Sequence, residues 1–341
     1  MRFGVGWLVN EDFDEAVRCV REVERLGFEY VWVWGDPVAK NDFIVSSLFA
    51  LNTSRVRIGL SAVSPYYRNP VIIASSVLTL DSLSNGRVVL SVAVGDWRVL
   101  WRVGVKPENP VLRLRETIES LKRMFVEEKV RYDGKLVSFG PVKFGWVERK
   151  RRIPVFASVN GPSMLRMAGE VADGVILPHT PPEYLAYAME VLRDSVKKAG
   201  KSFKDFEVAV HLEVFVDEDY DVALNSAKKS YAQLGFFTHL PIVWEKAGFS
   251  REEVKLIQKD VLNIPENLIE KIVEKFAVVG TPEDCIRKLR VYERLGVTHL
   301  QLTPVTGKVE KDFYALMWHG KFKMLKHIKY FGEKVFQAFR L

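Results

Sequence analysis

Two acidic residues stand directly behind β-like runs in this chain. Asp36 follows "EYVWVW" in "GDPVAKND", and Asp96 follows "RVVLSVAV" in "VGDWRVLW". A carboxyl at a strand end can act as a general acid or base, bind ligand hydroxyls, or cap the next helix. A third junction, "SVNGPSM", sets Asn160-Gly161 in a tight turn and Pro162 at the first position of a helix. Backbone amides at such a start suit a phosphate, although an ordinary strand-to-helix turn reads the same way. A fourth, "SAVSPYYRNP" (61–70), joins an apolar strand to an apolar helix through two prolines, two tyrosines and an arginine. Trp7, Trp34, Tyr66, Tyr67 and Trp97 lie near these junctions and could line a pocket for a flat ring.

Other chemistries find no support in the spacing. No GxGxxG follows the first strand, and there is neither a P-loop nor a GxSxG elbow. The six histidines (179, 211, 239, 299, 319, 327) form no HExxH or other paired ligand spacing, so no metal is expected. Cys19 and Cys285 fall in helical patterns without a CxxC and read as buried thiols in a reducing compartment. The start of the chain lacks a basic segment followed by an apolar stretch, and no apolar run approaches membrane length. A cytoplasmic protein with no membrane role is expected. The net charge of +7 raises the question of nucleic acid, but no recognition signature accompanies it. An anionic small ligand accounts for a positive field equally well.

The elements that must hold these junctions alternate along the chain. Strands are expected at 2–9, 29–34, 55–63, 87–94, 153–159, 173–177, 206–216 and 297–305. Between them lie helical patterns such as "DFDEAVRCVREVERLGF" (12–28), with apolar residues at 13, 16, 17, 20, 23 and 26. "VRYDGKLVSF" (130–139) reads as a hairpin turning at Asp133-Gly134. Eight strand–helix units imply a parallel sheet and favour a closed (β/α)8 TIM barrel over an open doubly wound sheet. Active sites of such barrels lie at the carboxyl ends of the strands, where the four junctions fall. The basic run "ERKRR" (148–152), just ahead of a strand, is then expected at the other end as a solvated surface. The expected organisation is one barrel domain over 1–320, with a helical insertion at about 217–275 broken near Gly235, Pro241, Gly248 and Pro265. An amphipathic extension over 321–341, broken at Gly332, would pack on the barrel or on a partner subunit.

Three longer stretches carry a family resemblance: "RIGLSAVSPYYRNPVIIASSVLTLDSLSNGR", "IPVFASVNGPSMLRMAGEVADGVIL" and "FAVVGTPEDCIRKLRVYERLGVTHLQL". Together they resemble the bacterial luciferase-like superfamily, and most closely the archaeal 5,10-methylenetetrahydromethanopterin reductases and relatives that use the deazaflavin coenzyme F420. The resemblance runs from about residue 2 to about 315. It implies a coenzyme lying across the strand ends, backed by a bulge with a cis peptide that would fall at Ala62–Val63, next to Ser64. It implies phosphate contacts at Val159, Asn160, Gly161, Ser163 and Met164, a coenzyme contact at Asp36, and an acidic residue at Asp96 in the "VGD" that includes Gly95. Asp96 is the expected acid, base or polarising group, with Asp36 the second catalytic candidate. Two positions depart from the pattern: Gly6 stands where the reductases carry a glutamate, and Pro37 where many F420-dependent relatives carry a histidine. The expected activity is F420-dependent hydride transfer to or from a small organic substrate, with a methylene-tetrahydropterin as the candidate. The alternatives are an FMN-dependent monooxygenase and a non-catalytic flavin-binding protein. A homo-oligomer is expected from the same resemblance.

Overall fold

The computed structural model describes residues 1–147, 151–231, 240–259, 263–310 and 313–340. Its strands are β1 (Arg2–Trp7), β2 (Tyr30–Val33), β3 (Arg57–Val63), β4 (Val88–Val92), β5 (Val130–Asp133), β6 (Ser138–Val142), β7 (Val155–Ser158), β8 (Gly174–Pro178), β9 (Glu207–Val216), β10 (Val278–Gly280) and β11 (His299–Thr306). The main sheet runs β10-β9-β11-β1-β2-β3-β4-β7-β8, with a further pairing of β8 to β9. That pairing joins the eight expected strands into a closed (β/α)8 barrel. Its strands are buried on both faces, which is why β2 (YVWV) and β4 (VVLSV) read as unbroken apolar runs rather than alternating ones. The short β10 was not anticipated. It pairs in parallel with the end of β9, Val278 opposite Val214, and its three residues are too few to register as a periodic pattern.

The chain divides into two compact units: Met1–Glu29 with Leu177–Glu190 and Val208–Leu341, and Tyr30–Ile176 with Val191–Glu207. In the second unit Trp32 lies across β3, and it can do so because residue 59 is glycine. A Cβ there would sit 2.2 Å from the indole. The expected hairpin forms as β5–β6, and the carboxylate of Glu116 accepts the amides of Lys135, Leu136 and Val137 in its turn, each at 2.8 Å. Asn69 caps the helix Pro70–Leu83 by accepting from the Val71 amide at 2.8 Å, with Pro70 at its first position. The described part of the basic run is not merely solvated. Arg151 pairs with the buried Asp81 at 3.0 Å and Arg152 with Asp173. Asp173 also takes Lys122 and the Val155 amide, each at 3.0 Å.

In the first unit the helix Phe13–Leu26 is capped by Asp12 and ends at Gly27, whose φ of +90° suits glycine. Thr281 and Asp284 form a capping box on the helix Pro282–Arg294. The insertion region is helical over Tyr220–Tyr231, Pro241–Lys246, Arg251–Lys259 and Glu266–Phe276; the break expected at Gly235 lies outside the described residues. The tail helix Met324–Lys334 does not break at Gly332. That residue is buried, and an added Cβ would lie 2.5 Å from Leu26 Cδ1, so the glycine permits close packing on Phe13–Leu26. Phe336 then stacks on Phe28, with ring centroids 4.2 Å apart. Cys19 and Cys285 are buried and unbridged, and burial pushes the Cys285 thiol up to about 12. Among the described residues no helix is long and apolar enough to cross a membrane.

Candidate active site

The end of β3 carries a bulge. Leu60 pairs with Leu90 and Val63 with Val92, so three steps along β3 span two along β4. A non-proline cis peptide sits in this bulge at Ser61–Ala62, one bond earlier than the expected Ala62–Val63. The reason is register: Val63 has already rejoined the sheet, its carbonyl accepting from the Ala93 amide at 3.1 Å, so the irregular bond falls among the residues before it. Ser64, fully buried, ties the bulge to the end of β4 through a 2.6 Å hydrogen bond to the Val94 carbonyl, and its hydroxyl accepts from the Tyr66 amide at 3.2 Å. Gly95 lies beside Ser64 with φ +102°.

Asp36 is buried, and one carboxylate oxygen accepts from the Val38 amide at 3.0 Å. Burial raises its pKa. The Val38 amide and the Arg102 guanidinium work against the rise, and the charge of Asp96 adds to it. The two carboxyls proposed from the sequence are therefore in electrostatic reach of each other. Asp96 is exposed, and its carbonyl accepts from Leu100 at 3.0 Å, which sets it immediately ahead of the helix Trp97–Arg102.

The junction "SAVSPYYRNP" (61–70) is held by a pair that its sequence does not announce. Arg68 makes a two-pronged bridge to Asp42, at 2.7 and 2.6 Å, with Asp42 almost wholly buried. The signal lay in "KND", where Asn41 caps the helix Asp42–Leu51 and leaves Asp42 at its first position. Of the rim aromatics, Tyr67 is half-buried and burial raises its hydroxyl to about 12, while Tyr66 donates to the Glu108 carbonyl at 2.7 Å. Trp7 is instead a core residue, fully buried and donating to Glu11 at 2.8 Å. The Trp97 side chain lies outside the description.

At the end of β7 the helix Pro162–Val171 begins as expected, with Gly161 at φ +87° and no side chain capping it. Its first-turn amides at Ser163 and Met164, beside Asn160 and Gly161, thus form a donor set suited to a phosphate. The Val159 amide is donated to the Ile176 carbonyl at 3.0 Å. An acceptor at Asp36, a bulge at Ser61–Ala62 and a helix start without a side-chain cap fit an anionic ring coenzyme.

A separate polar cluster stands in the first unit. His179, directly after β8, takes φ +45° and donates its amide to the His211 carbonyl at 2.9 Å. Its Nδ1 lies 2.8 Å from Glu213 Oε2, and the Tyr231 hydroxyl donates to the same oxygen at 3.0 Å. Glu213 is entirely buried, and burial lowers the buried His211 to about 3 against the pull of Glu213. Gly6 is close to this group in the chain's contacts, its carbonyl accepting from Thr303 at 2.6 Å while Thr303 Oγ1 lies 3.5 Å from His211 Nε2.

The parallel eight-stranded barrel with its bulged third strand defines the class of fold, a (β/α)8 barrel. The family model for luciferase-like monooxygenases matches residues 1–299, and the chain belongs to that family. The 5,10-methylenetetrahydromethanopterin reductase of Archaeoglobus fulgidus is 28% identical over 326 residues, covering 93% of this chain and 97% of that protein. The F420-dependent glucose-6-phosphate dehydrogenase of Microbacterium testaceum is 26% identical over 291 residues, 81% and 83% of the two chains. Among solved structures, the coenzyme F420 dependent tetrahydromethanopterin reductase from Methanopyrus kandleri matches at a TM-score of 0.83 and 25% identity over 99% of both chains.

Proposed function

We propose that this protein is a coenzyme F420-dependent oxidoreductase of the methylenetetrahydromethanopterin reductase type. The observation that carries the reading is end-to-end similarity to such a reductase, in sequence over 93% of the chain and in structure over 99%. The bulge at Ser61–Val63, Ser64, Gly95 and Asp36 would hold the ring system, and the amides after Gly161 would hold its phosphate. When bound, the coenzyme supplies a carbon that gives or takes a hydride. The protein contributes mainly position: the bulge and its Ser64–Val94 tie fix one wall, and close approach of the reacting carbons replaces a bimolecular encounter. Asp96, exposed at a strand end, is the residue we assign to proton transfer or polarisation at the substrate.

The substrate we infer is a methylene-tetrahydropterin. Reduction of such a carbon needs no acid beyond Asp96, which fits a chain with Gly6 and Pro37 where the resemblance implies a carboxylate and an imidazole. We also read the protein as a cytoplasmic homo-oligomer of archaeal type. Exposed Ile44, Leu51 and Ile72, on the helices Asp42–Leu51 and Pro70–Leu83, support the oligomer. Titrating purified protein with F420 and with FMN, read by absorbance and fluorescence, tests the coenzyme. We expect saturable binding of F420. Binding of FMN alone would point to a monooxygenase, and bound F420 without turnover of any substrate to a carrier.

A further inference from the structure

His179, His211 and Glu213 bring two imidazoles and one carboxylate together, with one candidate ligand atom from each lying within 4.8 Å of the others. Neither spacing nor motif announces the group, because the barrel assembles it from two adjacent strands. His211 and Glu213 are two apart on β9, so their side chains leave the same face of the strand. His179 reaches them from the end of β8, where its left-handed backbone and its amide bond to the His211 carbonyl hold the two chains together. We propose that these three side chains form a binding site for one divalent transition cation of the zinc, cobalt or nickel class.

The donor set argues for that class. Imidazole nitrogens with a single carboxylate suit zinc, cobalt and nickel, whereas magnesium and calcium take oxygen donors. Metal–ligand bonds of about 2.0–2.2 Å require donor atoms within roughly 4 Å of each other. Glu213 Oε2 is 2.8 Å from His179 Nδ1 and Oε1 is 3.8 Å from His211 Nε2, and the spread of up to 4.8 Å among the three ligand atoms must close by side-chain rotation when the ion binds. Three protein ligands leave a fourth position for water. The two imidazoles keep slight and nearly equal side-chain exposure, 12% for His179 and 10% for His211, while Glu213 is fully buried. Outer support is in place: Tyr231 donates to Glu213 and Thr303 lies beside His211. Binding would replace the His179–Glu213 hydrogen bond, and the nitrogen that becomes a ligand gives its proton to solvent.

The test is titration of chelator-treated full-length protein with cobalt(II), read by visible absorption and by bound metal per chain. We expect ligand-field bands saturating at one ion per chain, bleached by zinc, with proton release. Glu213→Gln and His179→Ala should remove the bands. Tyr231→Phe, which touches only the outer support, should weaken binding by about 10–100-fold and keep them. Circular dichroism against wild type checks that His179→Ala is folded. Absence of a stoichiometric band in wild-type protein, or a band that survives in folded His179→Ala, overturns the proposal.

Discussion

At the residue scale, Asp36 and Asp96 separate by environment. Asp36 is buried and bonded to a backbone amide, whereas Asp96 is exposed, and burial lifts the Asp36 pKa. If Asp36 binds the coenzyme as a carboxylate, affinity should fall as pH drops through its raised value, at a higher pH than an ordinary carboxylate near 3.9 would give. Asp36→Asn should erase that limb in a pH series of F420 titrations and weaken binding by roughly 10–100-fold, as expected for a hydrogen bond to a charged group. A limb unchanged in the variant would remove Asp36 from the site. Asp96→Asn should instead lower kcat by about 10²–10⁴-fold with little change in coenzyme affinity. These two residues were legible because each follows an apolar run directly. The His179–His211–Glu213 group was not, since no local pattern reports which strand ends a barrel sets side by side. Nor was Arg68, whose buried partner Asp42 is identified only by the fold.

At the element scale, Asp173 ties the start of β7 to its surroundings. Burial alone would raise its pKa, but the Val155 amide, Arg152 and Lys122 outweigh burial and leave it lowered. A carboxylate with a lowered folded pKa contributes stability above its unfolded value near 3.9, and loses it as pH falls through the folded value. Asp173→Ala should therefore cost about 1–3 kcal/mol at neutral pH, chiefly from the orphaned Val155 amide, and less in acid, measured by urea unfolding at both. A deficit that grows in acid would contradict this. Gly332 offers a second test. Gly332→Ala gains about 1 kcal/mol of helix propensity but overpacks Leu26 by about 1–3 kcal/mol. It should destabilise wild type and stabilise a Leu26→Ala background, where the space exists. In the sequence, Gly332 reads only as an interruption of the apolar stripe of the tail. Only the packing of Met324–Lys334 on Phe13–Leu26 reveals its other use. The cis bond was displaced for a similar reason: a bulge is legible as an irregular junction, but its register depends on pairing with β4.

At the scale of the whole molecule, eight alternating strand and helix patterns sufficed to reach the barrel, because both periods are strong. What the chain does rests on coenzyme and substrate together. The most direct measurement is anaerobic turnover of purified wild-type protein with reduced F420 and 5,10-methylenetetrahydromethanopterin, followed by the reappearance of oxidised F420 absorbance. We expect oxidation that requires both partners and is lost in step with kcat in Asp96→Asn. Protein that binds F420 yet leaves it reduced with this substrate would contradict the substrate assignment, and protein that fails to bind F420 would contradict the central claim.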